Sequence, residues 1–376
     1  MKKVGVICEY NPFHYGHKYQ IDEIKKIYND SIIISLCSST FTQRGSVSVI
    51  NKWDKARIAI NNGIDLFIEF PFVYATQGAD IFAKGALEIL NKINIDVLVF
   101  GTESLDSNAL YKLANIQLYD NNYNKKVLEY LDGGCNYATS MTRALKDISG
   151  ILIEKPNDIL GLAYVKEIIM NKYDIEFFTI KRIDNYHSSL VIDNIASATY
   201  IRNLLKENKN ISNYVSSETL ECINNYDIES FFPYLKYNII SNINNLDDYL
   251  EVDIGLKNRI IKYINRSNTW EELVNNVKTK YYTYNKINRA LLHILTSYTV
   301  SESKNIDINY IRVLGFNKKG QDYLKIIKKN NNIITHYKNN ISLSLDIEYR
   351  VSLIYSLILN NDLGNDEISH NPVILD

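Results

Sequence analysis

The stretch VICEYNPFHYGHKYQIDEI, which begins at Val6, decides how this chain folds. It starts inside a short apolar, β-branched run, Lys3–Cys8, that is typical of a buried strand. From His17 onward its apolar residues have helical spacing. His14 and His17, two of only six histidines in the chain, stand between these patterns with Gly16 beside them. The stretch therefore predicts that both histidines lie at a turn from a strand into a helix.

The alternation of strand and helix patterns continues through the first half of the chain. The predicted strands are Lys3–Cys8, Ser31–Ser38, Asp65–Pro71, Asp96–Ser104 and Asp174–Ile183. The predicted helices are His17–Tyr28, Asn51–Gly63, Gln77–Ile93, Glu154–Tyr173 and Ala196–Asn208. Continuous apolar strands alternating with amphipathic helices indicate an α/β fold with a doubly wound, Rossmann-like parallel sheet. Ligands of such sheets bind beyond the carboxyl ends of the strands, where the HYGH turn, the segment after Cys37 and Gly101 fall.

The pattern changes after about Lys209. The remaining sequence, such as IESFFPYLKYNIISNI and RVLGFNKKGQDYLKIIKKN, is mainly helical in its spacing. A chain of 376 residues is long enough for two domains. We therefore predict an α/β domain over residues 1–209 and an α-helical domain over residues 210–376.

Composition narrows the class of protein. Apolar residues make up 46% and charged residues 23%, which is typical of a soluble globular protein, and the net charge of −1 argues against a surface that is basic throughout. The four cysteines include no C-x-x-C pair, so we expect neither a cysteine metal site nor a disulfide framework. No apolar run reaches the ~18 residues of a membrane span, and we expect a cytoplasmic protein with no membrane partner.

The HYGH turn has the chemistry of a phosphate site. Gly16 has no side chain, so a phosphate group can approach the backbone there. The start of a helix attracts anions through its free N–H groups, and His14 and His17 can both donate hydrogen bonds to phosphate oxygens in a phosphoryl-transfer transition state. A zinc-binding pair and a purely structural pair are the alternatives. We expect no metal site in the protein, because no third ligand lies at suitable spacing.

A second stretch, SATYIR, supports the phosphate interpretation. Ser197 and Thr199 are residue types that cap helices, and IRNLLKE is a good helix. Arg202 would then lie in the first helical turn, from which its guanidinium can bind a phosphate in a bidentate manner. An ordinary capped helix with an exposed arginine is the alternative.

These motifs resemble known families. HYGH resembles the HxGH element of the nucleotidyltransferase superfamily, which includes the class I aminoacyl-tRNA synthetases, and SATYIR resembles its second element. Longer segments from Lys3 to at least Phe316 resemble the bacterial tRNA(Met) cytidine acetate ligase family. These segments are GVICEYNPFHYGHKYQI, STFTQRGSVSVINKWDKARIAINNGIDLFIEFPFVYATQGADIFAKGALEIL, VFGTES, NDILGLAYVKEI and YIRVLGFNKKG. Tyr200 departs from the pattern, because a smaller residue would be less obtrusive there.

The resemblance implies a reaction. The enzyme would activate acetate with ATP to give acetyl-adenylate and pyrophosphate, and would then acetylate N4 of the wobble cytidine of elongator tRNA(Met), releasing AMP. ATP would be a substrate, accompanied by Mg²⁺ held mostly by the phosphates. The first domain would be the nucleotidyltransferase-like, ATP-binding catalytic domain, and the second would contribute to tRNA binding.

The resemblance also implies a set of site residues. His14 and His17 would be catalytic, stabilising the α-phosphate and the departing pyrophosphate. Ser197, Thr199 and Arg202 of the second element would contact phosphate. The remaining ATP site would be Ile7, Cys8, Glu9, Tyr10, Asn11, Pro12, Phe13, His14, Tyr15, Gly16, His17, Lys18, Tyr19, Gln20, Gly101, Asn157 and Arg182. Asn157 or Asp158 could instead cap a helix, Arg182 could be a surface residue, and we interpret Cys8 as a packing residue.

Other side chains have less specific signals. Arg44 is a candidate for binding acetate or a tRNA phosphate, Gln43 could contact the cytosine, and Trp53 is interpreted as a core residue that could otherwise stack on a base. Two runs combine basic residues with tyrosines, VKTKYYTYNKINRALLH and NKKGQDYLKIIKKN, and could bind tRNA or simply be solvated helix faces. The rival functions are an adenylyltransferase acting on a small phosphate metabolite and a non-catalytic RNA-binding protein.

Overall fold

The computed structural model describes residues 1–182, 194–223 and 227–375, and within them it has one main sheet. Its strands are β1 (Lys2–Cys8), β2 (Ser31–Ser38), β3 (Leu66–Phe70), β4 (Val97–Thr102), β5 (Glu176–Lys181), β6 (Ile311–Phe316), β7 (Ile333–Ile334) and β8 (Val373–Ile374). The strand order is β5-β4-β1-β2-β3-β6-β7, and β8 pairs with β6. The strands from β5 to β3 in this order are all parallel. This confirms the α/β fold and all five strands predicted from the first half of the chain.

The helices fall into two groups. Those of the α/β half are α1 (Tyr15–Ile27), α2 (Lys52–Asn61), α3 (Phe72–Ala75), α4 (Ala79–Lys92), α5 (Ser107–Tyr119), α6 (Asn121–Asp132), α7 (Tyr137–Ser149), α8 (Pro156–Asn171) and α9 (Ala198–Lys206). Those that follow are α10 (Ser217–Cys222), α11 (Phe232–Ser241), α12 (Ile254–Ile264), α13 (Trp270–Val277), α14 (Tyr284–Leu295), α15 (Val300–Lys304), α16 (Lys318–Ile327), α17 (Leu343–Leu359) and α18 (Leu363–Ser369). Two 3-10 helices cover Ile228–Phe231 and Ile243–Asp248.

The strand order places a binding crevice at the end of β1. The chain starts at β1, continues through β2 and β3 on one side, and returns to β4 on the other side of β1. The connections therefore reverse direction between β1 and β4, and ligands of open α/β sheets bind at such a point, beyond the carboxyl ends of the strands. The HYGH turn leaves β1 at this crevice. Every residue of β2 is buried, as expected for a strand covered on both faces.

The region after residue 210 is mainly helical, as predicted, but it also returns to the sheet. β6 pairs antiparallel with β3, so that Leu66 lies opposite Phe316. The sequence analysis interpreted the run around Ile311–Phe316 as helical, and that interpretation is wrong. The run is too short and too apolar for a surface helix, and all but its last residue are buried in the sheet. The domain boundary near residue 209 stays a prediction.

A buried group of charges fixes the C-terminal region to the sheet. Lys52 Nζ lies 2.6 Å from a Glu69 oxygen and also pairs with Glu367. Arg312 pairs with the same two carboxylates, at 3.3 Å from the second Glu69 oxygen. Because losing one partner would leave a buried charge unpaired, this network holds α2, β3, β6 and α18 in one arrangement.

Glu348 of α17 lies beside that network as an additional carboxyl group. Its oxygens accept hydrogen bonds from the Ser39 hydroxyl and the Phe72 N–H. Burial and the neighbouring Glu69 carboxylate raise the pKa of Glu348 to about 7. Glu348 thus joins the segment after β2 and the start of α3 to the C-terminal helices.

Helix starts test the predicted caps. Ser197 caps α9 through its side chain, as predicted, and Asn51 caps α2 in the same way. The prediction that Asn157 or Asp158 caps α8 is wrong, because α8 begins at Pro156 and Lys155 occupies the cap position. Both side chains are instead bonded to the loop after β4. In the described part of the chain, no helix is long and apolar enough to cross a membrane.

Candidate active site

The HYGH turn holds its two histidines in one defined protonation state. His14 is the N-cap residue of α1, and its Nδ1 accepts a hydrogen bond from the Gly16 N–H over 3.0 Å. Nδ1 of His17 accepts a hydrogen bond from the His14 N–H over 3.2 Å. A neutral imidazole has one acceptor and one donor nitrogen, so in both rings Nε2 is left as the N–H donor.

Electrostatics keep both rings uncharged. Burial lowers the pKa of His14 to about 3, and the positive charges of Arg182 and Arg202 add to this shift. Burial, His14 and Arg182 lower the pKa of His17 well below its usual range. The ring centroids lie only 3.8 Å apart, a separation at which two imidazolium charges would repel strongly. The pair is therefore two neutral hydrogen-bond donors side by side.

Gly16 makes this arrangement possible. A Cβ atom at this position would lie 2.8 Å from Cε1 of the His14 ring, closer than real Cβ contacts allow. The first turn of α1 has no acidic residue, so nothing there repels an anion. Contrary to the expectation from the sequence analysis, the first N–H groups of α1 are not free, because Tyr15, Gly16 and His17 all donate within the protein. The turn still offers an anion the positive end of the helix dipole, close backbone access and two imidazole N–H donors, which is the chemistry of a phosphate site.

A cavity of about 380 Å³ opens in front of the turn. Its walls come from the start of α1, from the carboxyl ends of β4 and β5, and from the start of α9 with the loop that follows it. The predicted site residues that line this cavity are His14, Gly16, His17, Tyr19, Gln20, Gly101, Arg182 and Ser197. The structure therefore brings the two HxGH-type histidines together with Gly101, Arg182 and part of the SATYIR element.

Several predicted site residues hold the turn without lining the cavity. Asn11 donates to the Val47 carbonyl over 3.0 Å and accepts from the Val49 N–H over 2.8 Å. Tyr10 packs edge-on against the rings of His17 and Phe13, at 4.9 Å from each. Ile7, Cys8, Glu9, Pro12, Tyr15 and Lys18 are likewise outside the cavity lining. Some residues of the predicted segment Ile7–Gln20 thus line the cavity, and others hold the turn in position.

Asn157 lies behind the cavity, at the start of α8. Its amide donates to Glu103 Oε1 over 2.5 Å, and the neighbouring Asp158 accepts hydrogen bonds from the backbone of Glu103 and Ser104. These contacts fix the loop that follows β4 and Gly101. A Cβ at Gly101 would lie 3.1 Å from the Arg182 side chain, so the absence of a side chain at Gly101 gives Arg182 room beside the cavity.

Arg202 lies one turn later in α9 than predicted, because the helix begins at Ala198. Its guanidinium donates to the Asn11 carbonyl over 2.6 Å and to the Thr199 hydroxyl over 3.2 Å. Burial lowers the pKa of Arg202, and the exposed Arg44 nearby adds to the shift. Arg202 thus connects the SATYIR helix to the HYGH turn, and its positive charge reaches His14.

The other predicted side chains have clear positions. Trp53 is buried, and its ring stacks on His370 at 4.6 Å, which confirms its interpretation as a core residue. The Gln43 N–H donates to Glu9 over 2.7 Å, which draws the segment after β2 towards the turn. The sequence also predicts a polar loop that contains Tyr186, His187 and Ser188, and these residues lie outside the described part of the chain.

The sequence analysis missed part of the cavity wall. Ile180 and Lys181 of β5, and Ile195 and Ala196 before α9, line the cavity. So does Tyr214, which lies beyond the predicted domain boundary and belongs to no motif. No local pattern marks it, since it reaches the site only through folding. Among the described residues, no group of three His, Cys, Asp or Glu side chains could hold a metal ion.

Comparisons with known proteins agree on one family. Residues 1–369 match the model of a family described as HIGH Nucleotidyl Transferase. A tRNA(Met) cytidine acetate ligase of Anoxybacillus flavithermus is 38% identical over 349 residues, which cover 88% of this chain and 87% of the relative. The protein of the same name from Fusobacterium nucleatum is 39% identical over 346 residues, covering 88% and 86%. That from Clostridium tetani is 34% identical over 403 residues and covers 100% of both chains.

Solved structures give the same result. The crystal structure of Thermotoga maritima TmcAL in an apo form has a TM-score of 0.90 and 26% identity, and the match covers 100% of both chains. A second crystal form of that protein, bound with alpha-thio ATP, has a TM-score of 0.89 at 26% identity, again over 100% of both chains.

Proposed function

Because the chain belongs to the HIGH nucleotidyltransferases, and within them to the tRNA(Met) cytidine acetate ligases, we propose that it is an ATP-dependent ligase that acetylates N4 of the wobble cytidine of elongator tRNA(Met). The family resemblance inferred from the motifs is thereby confirmed. The observation that carries the proposal is the likeness to ligases over most of both chains. Neither a metabolite adenylyltransferase nor a non-catalytic RNA-binding protein has comparable support.

The cavity would hold ATP with its phosphates at the start of α1. Two neutral Nε2–H donors suit this position, because they can bind an anion without first placing a positive charge in a buried site. Arg182 and Arg202, whose charges reach His14, would add electrostatic attraction. His14 and His17 would stabilise the charge that develops on the α-phosphate and on the departing pyrophosphate. The relative bound with alpha-thio ATP supports a nucleotide in this fold.

The reaction would proceed in two displacements. A carboxylate oxygen of acetate attacks the α-phosphorus of ATP, forming a new P–O bond while the bond to the β-phosphate oxygen breaks and pyrophosphate leaves. N4 of the cytidine then attacks the acetyl carbonyl, loses a proton, and AMP leaves. No protein nucleophile is required. Cys8 is a poor candidate for one, because burial raises the pKa of its thiol well above the usual range.

The nucleoside of ATP would lie towards the carboxyl ends of β4 and β5. Gly101 lets a ligand approach the backbone there, and Arg182 borders the same wall of the cavity. The Glu103–Asn157 hydrogen bond would act from behind by fixing the loop after Gly101. Mg²⁺ would arrive with ATP and be held mostly by its phosphates.

The basic and aromatic segment before α14 would contribute to tRNA binding. The Nζ atom of Lys278 lies 5.1 Å from the centroid of the Tyr284 ring, and that of Lys280 lies 5.0 Å from the centroid of the Tyr281 ring. Both rings are more than half exposed. Lys280 is exposed and Lys278 is half-buried. Lysines in such positions can bind phosphates, and the exposed rings beside them can stack on bases. The Asn136 amide donates to the Lys280 carbonyl over 3.2 Å, so the loop before α7 borders this surface.

The rest of the proposal follows from the substrate. Arg44 is exposed and lies near Arg202, so it is open to a tRNA phosphate or to acetate. Residues 210–376 would form the tRNA-binding part of the molecule, and residues 1–209 the catalytic part. Because tRNA is modified in the cytoplasm, the proposal places the protein there.

The proposal is tested by measuring AMP and pyrophosphate release from ATP, with acetate, bulk bacterial tRNA and Mg²⁺ omitted one at a time. The ligase predicts pyrophosphate formation that needs acetate, and AMP formation that needs both acetate and tRNA. Adenylyl transfer to a small phosphate metabolite, with no dependence on acetate or tRNA, would replace the proposal with the rival enzyme.

A further inference from the structure

Two tyrosines form part of the cavity wall and have no part in the chemistry described above. Tyr200 lies in the first turn of α9, and Tyr214 lies in the loop before α10. Both line the same cavity as His14 and His17. Their ring centroids are 5.7 Å apart and their planes are nearly perpendicular, at 89°. A hydrogen bond to Tyr200 raises the pKa of Tyr214, so the two hydroxyl groups are also in contact.

This pair is fixed relative to the catalytic histidines. The Tyr214 carbonyl accepts a hydrogen bond over 3.1 Å from the N–H of Tyr15, which is the residue between His14 and Gly16. The Tyr200 N–H donates to the Ser197 side chain over 3.2 Å at the start of α9. Tyr214 packs against a small buried cluster of Ala196, Ile201, Ile211 and Val215. The rings are therefore held by backbone bonds and packing, and Tyr200 is still 39% exposed towards solvent.

The position of the rings suits a base better than a phosphate. The phosphates of ATP are proposed to lie at the start of α1, where Nδ1 of His14 and of His17 is an acceptor and Nε2 is left as the donor. The nucleoside contacts proposed for ATP come from β4 and β5. The tyrosines belong to a third wall, formed by α9 and the loop after it. Flat aromatic rings there offer stacking surface, which neither the triphosphate nor acetate can use.

The ligase reaction needs such a surface. N4 of cytosine must reach the acetyl carbonyl inside this cavity, so the target base has to leave the stack of the anticodon loop. Enzymes that react with a base commonly extrude it and stack it between aromatic or apolar side chains, and single-stranded RNA bases are commonly bound on aromatic rings. The Tyr200–Tyr214 pair offers aromatic surface in the described part of this cavity wall.

We propose that Tyr200 and Tyr214 form the stacking platform for the target cytosine of the tRNA. This inference rests on the proposed ligase function and adds the residues that receive the base. It predicts a separation of effects, because a cytosine platform is needed only after acetyl-adenylate has formed. Loss of the rings then weakens acetyl transfer to tRNA and leaves adenylate formation intact.

The test compares Tyr200→Ala and Tyr214→Ala with Tyr200→Phe and Tyr214→Phe. Two rates are measured for each: acetate-dependent exchange of labelled pyrophosphate into ATP without tRNA, and transfer of labelled acetate to tRNA. We expect kcat/KM for tRNA to fall about 5- to 150-fold in each alanine variant, the range found when a stacking ring is removed. Pyrophosphate exchange stays within about twofold of the wild type, and the phenylalanine variants keep most of both rates. Tyr111→Ala, an exposed tyrosine of α5 (53% exposed), is the matched control and changes neither rate.

Other outcomes overturn the inference. An equal fall in exchange and transfer would mean that the rings serve ATP or the fold, and a thermal unfolding measurement on the same variants separates those two. Unchanged rates in both alanine variants would mean that the base is received elsewhere. Failure of the ligase proposal itself looks different, because the wild-type protein would then show no acetate transfer to tRNA in the first place.

Discussion

The backbone N–H of His14 donates a hydrogen bond to Nδ1 of His17 over 3.2 Å, while the two imidazole rings lie 3.8 Å apart. The bond directs the remaining N–H of His17 away from the backbone, and the cavity lies in front of both rings.

Replacing His17 with alanine removes one of the two neutral donors. If His17 stabilises charge on the phosphates in the transition state, acetate-dependent pyrophosphate exchange falls about 10²–10³-fold, the usual effect of losing one such donor. His336→Ala is the matched control, because His336 lies in a loop before α17 and outside the cavity lining. A loss of less than about threefold in the His17 variant would remove this residue from the catalytic step.

Replacing Gly16 with alanine tests the close approach of the turn. The new Cβ would lie 2.8 Å from the His14 ring, so the ring must move out of its position. We expect kcat/KM for ATP to fall at least about 10-fold, because misplaced donors bind the transition state poorly. Alanine is the better helix former by about 1 kcal/mol, so overall stability changes little. Gly78→Ala is the control, since nothing lies within 4 Å of a Cβ there. Equal kcat/KM values for ATP in both variants would contradict the role given to Gly16.

The raised pKa of Glu348 predicts that the free energy of unfolding depends on pH. Its pKa is about 7 in the folded protein against a usual value of 4.5, so between these values the folded state holds a proton that the unfolded state has lost. The folded state is therefore most stabilised below about pH 4.5, and this contribution is lost as the pH rises towards 7. Glu348→Gln removes the titration. We expect the free energy of unfolding of the wild type, relative to this variant, to fall by roughly 3 kcal/mol between pH 4.5 and pH 7.5.

Urea unfolding of both proteins across this pH range measures that difference directly. A constant difference between wild type and Glu348→Gln would show that Glu348 keeps the same charge in both states.

Replacing Lys278 and Lys280 tests whether the segment before α14 binds tRNA. Changing both to alanine should raise KM for tRNA and lower the slope of log affinity against log salt concentration by about 1–2, because each phosphate contact contributes slightly less than one unit. Pyrophosphate exchange without tRNA should not change. The control is the pair Lys112→Ala and Lys125→Ala, two exposed lysines of α5 and α6. An unchanged salt slope in the Lys278/Lys280 variant would move the tRNA surface elsewhere, with Lys328 and Lys329 as the next pair to change.

The sequence predicts the parallel sheet and the phosphate turn well, because both depend on local patterns. Five apolar runs and the spacing of His14, Gly16 and His17 are visible without a structure. What it does not predict depends on contacts between distant segments. β6 pairs with β3 across more than two hundred residues, and Tyr214 enters the cavity through a backbone bond to Tyr15.

Contacts between distant segments also explain why the predicted cap of α8 is wrong. Asn157 is a good capping residue by type, but Glu103 of the preceding loop accepts a hydrogen bond from its amide. A capping preference is worth only about 1 kcal/mol, so a charged partner brought close by the fold can outweigh it. The buried group of Lys52, Glu69, Arg312 and Glu367 could not be predicted either, because its members are far apart in the sequence.

In the proposed reaction, this protein uses ATP to transfer acetate to the wobble cytidine of elongator tRNA(Met). The most direct measurement is mass spectrometry of nucleosides from unmodified elongator tRNA(Met) incubated with the protein, ATP, Mg²⁺ and ¹³C-labelled acetate. We expect labelled N4-acetylcytidine that requires ATP, is absent from a tRNA with uridine at the wobble position, and is lost in His17→Ala. Wild-type protein that is folded and binds ATP, yet forms no labelled N4-acetylcytidine, would contradict the proposed reaction.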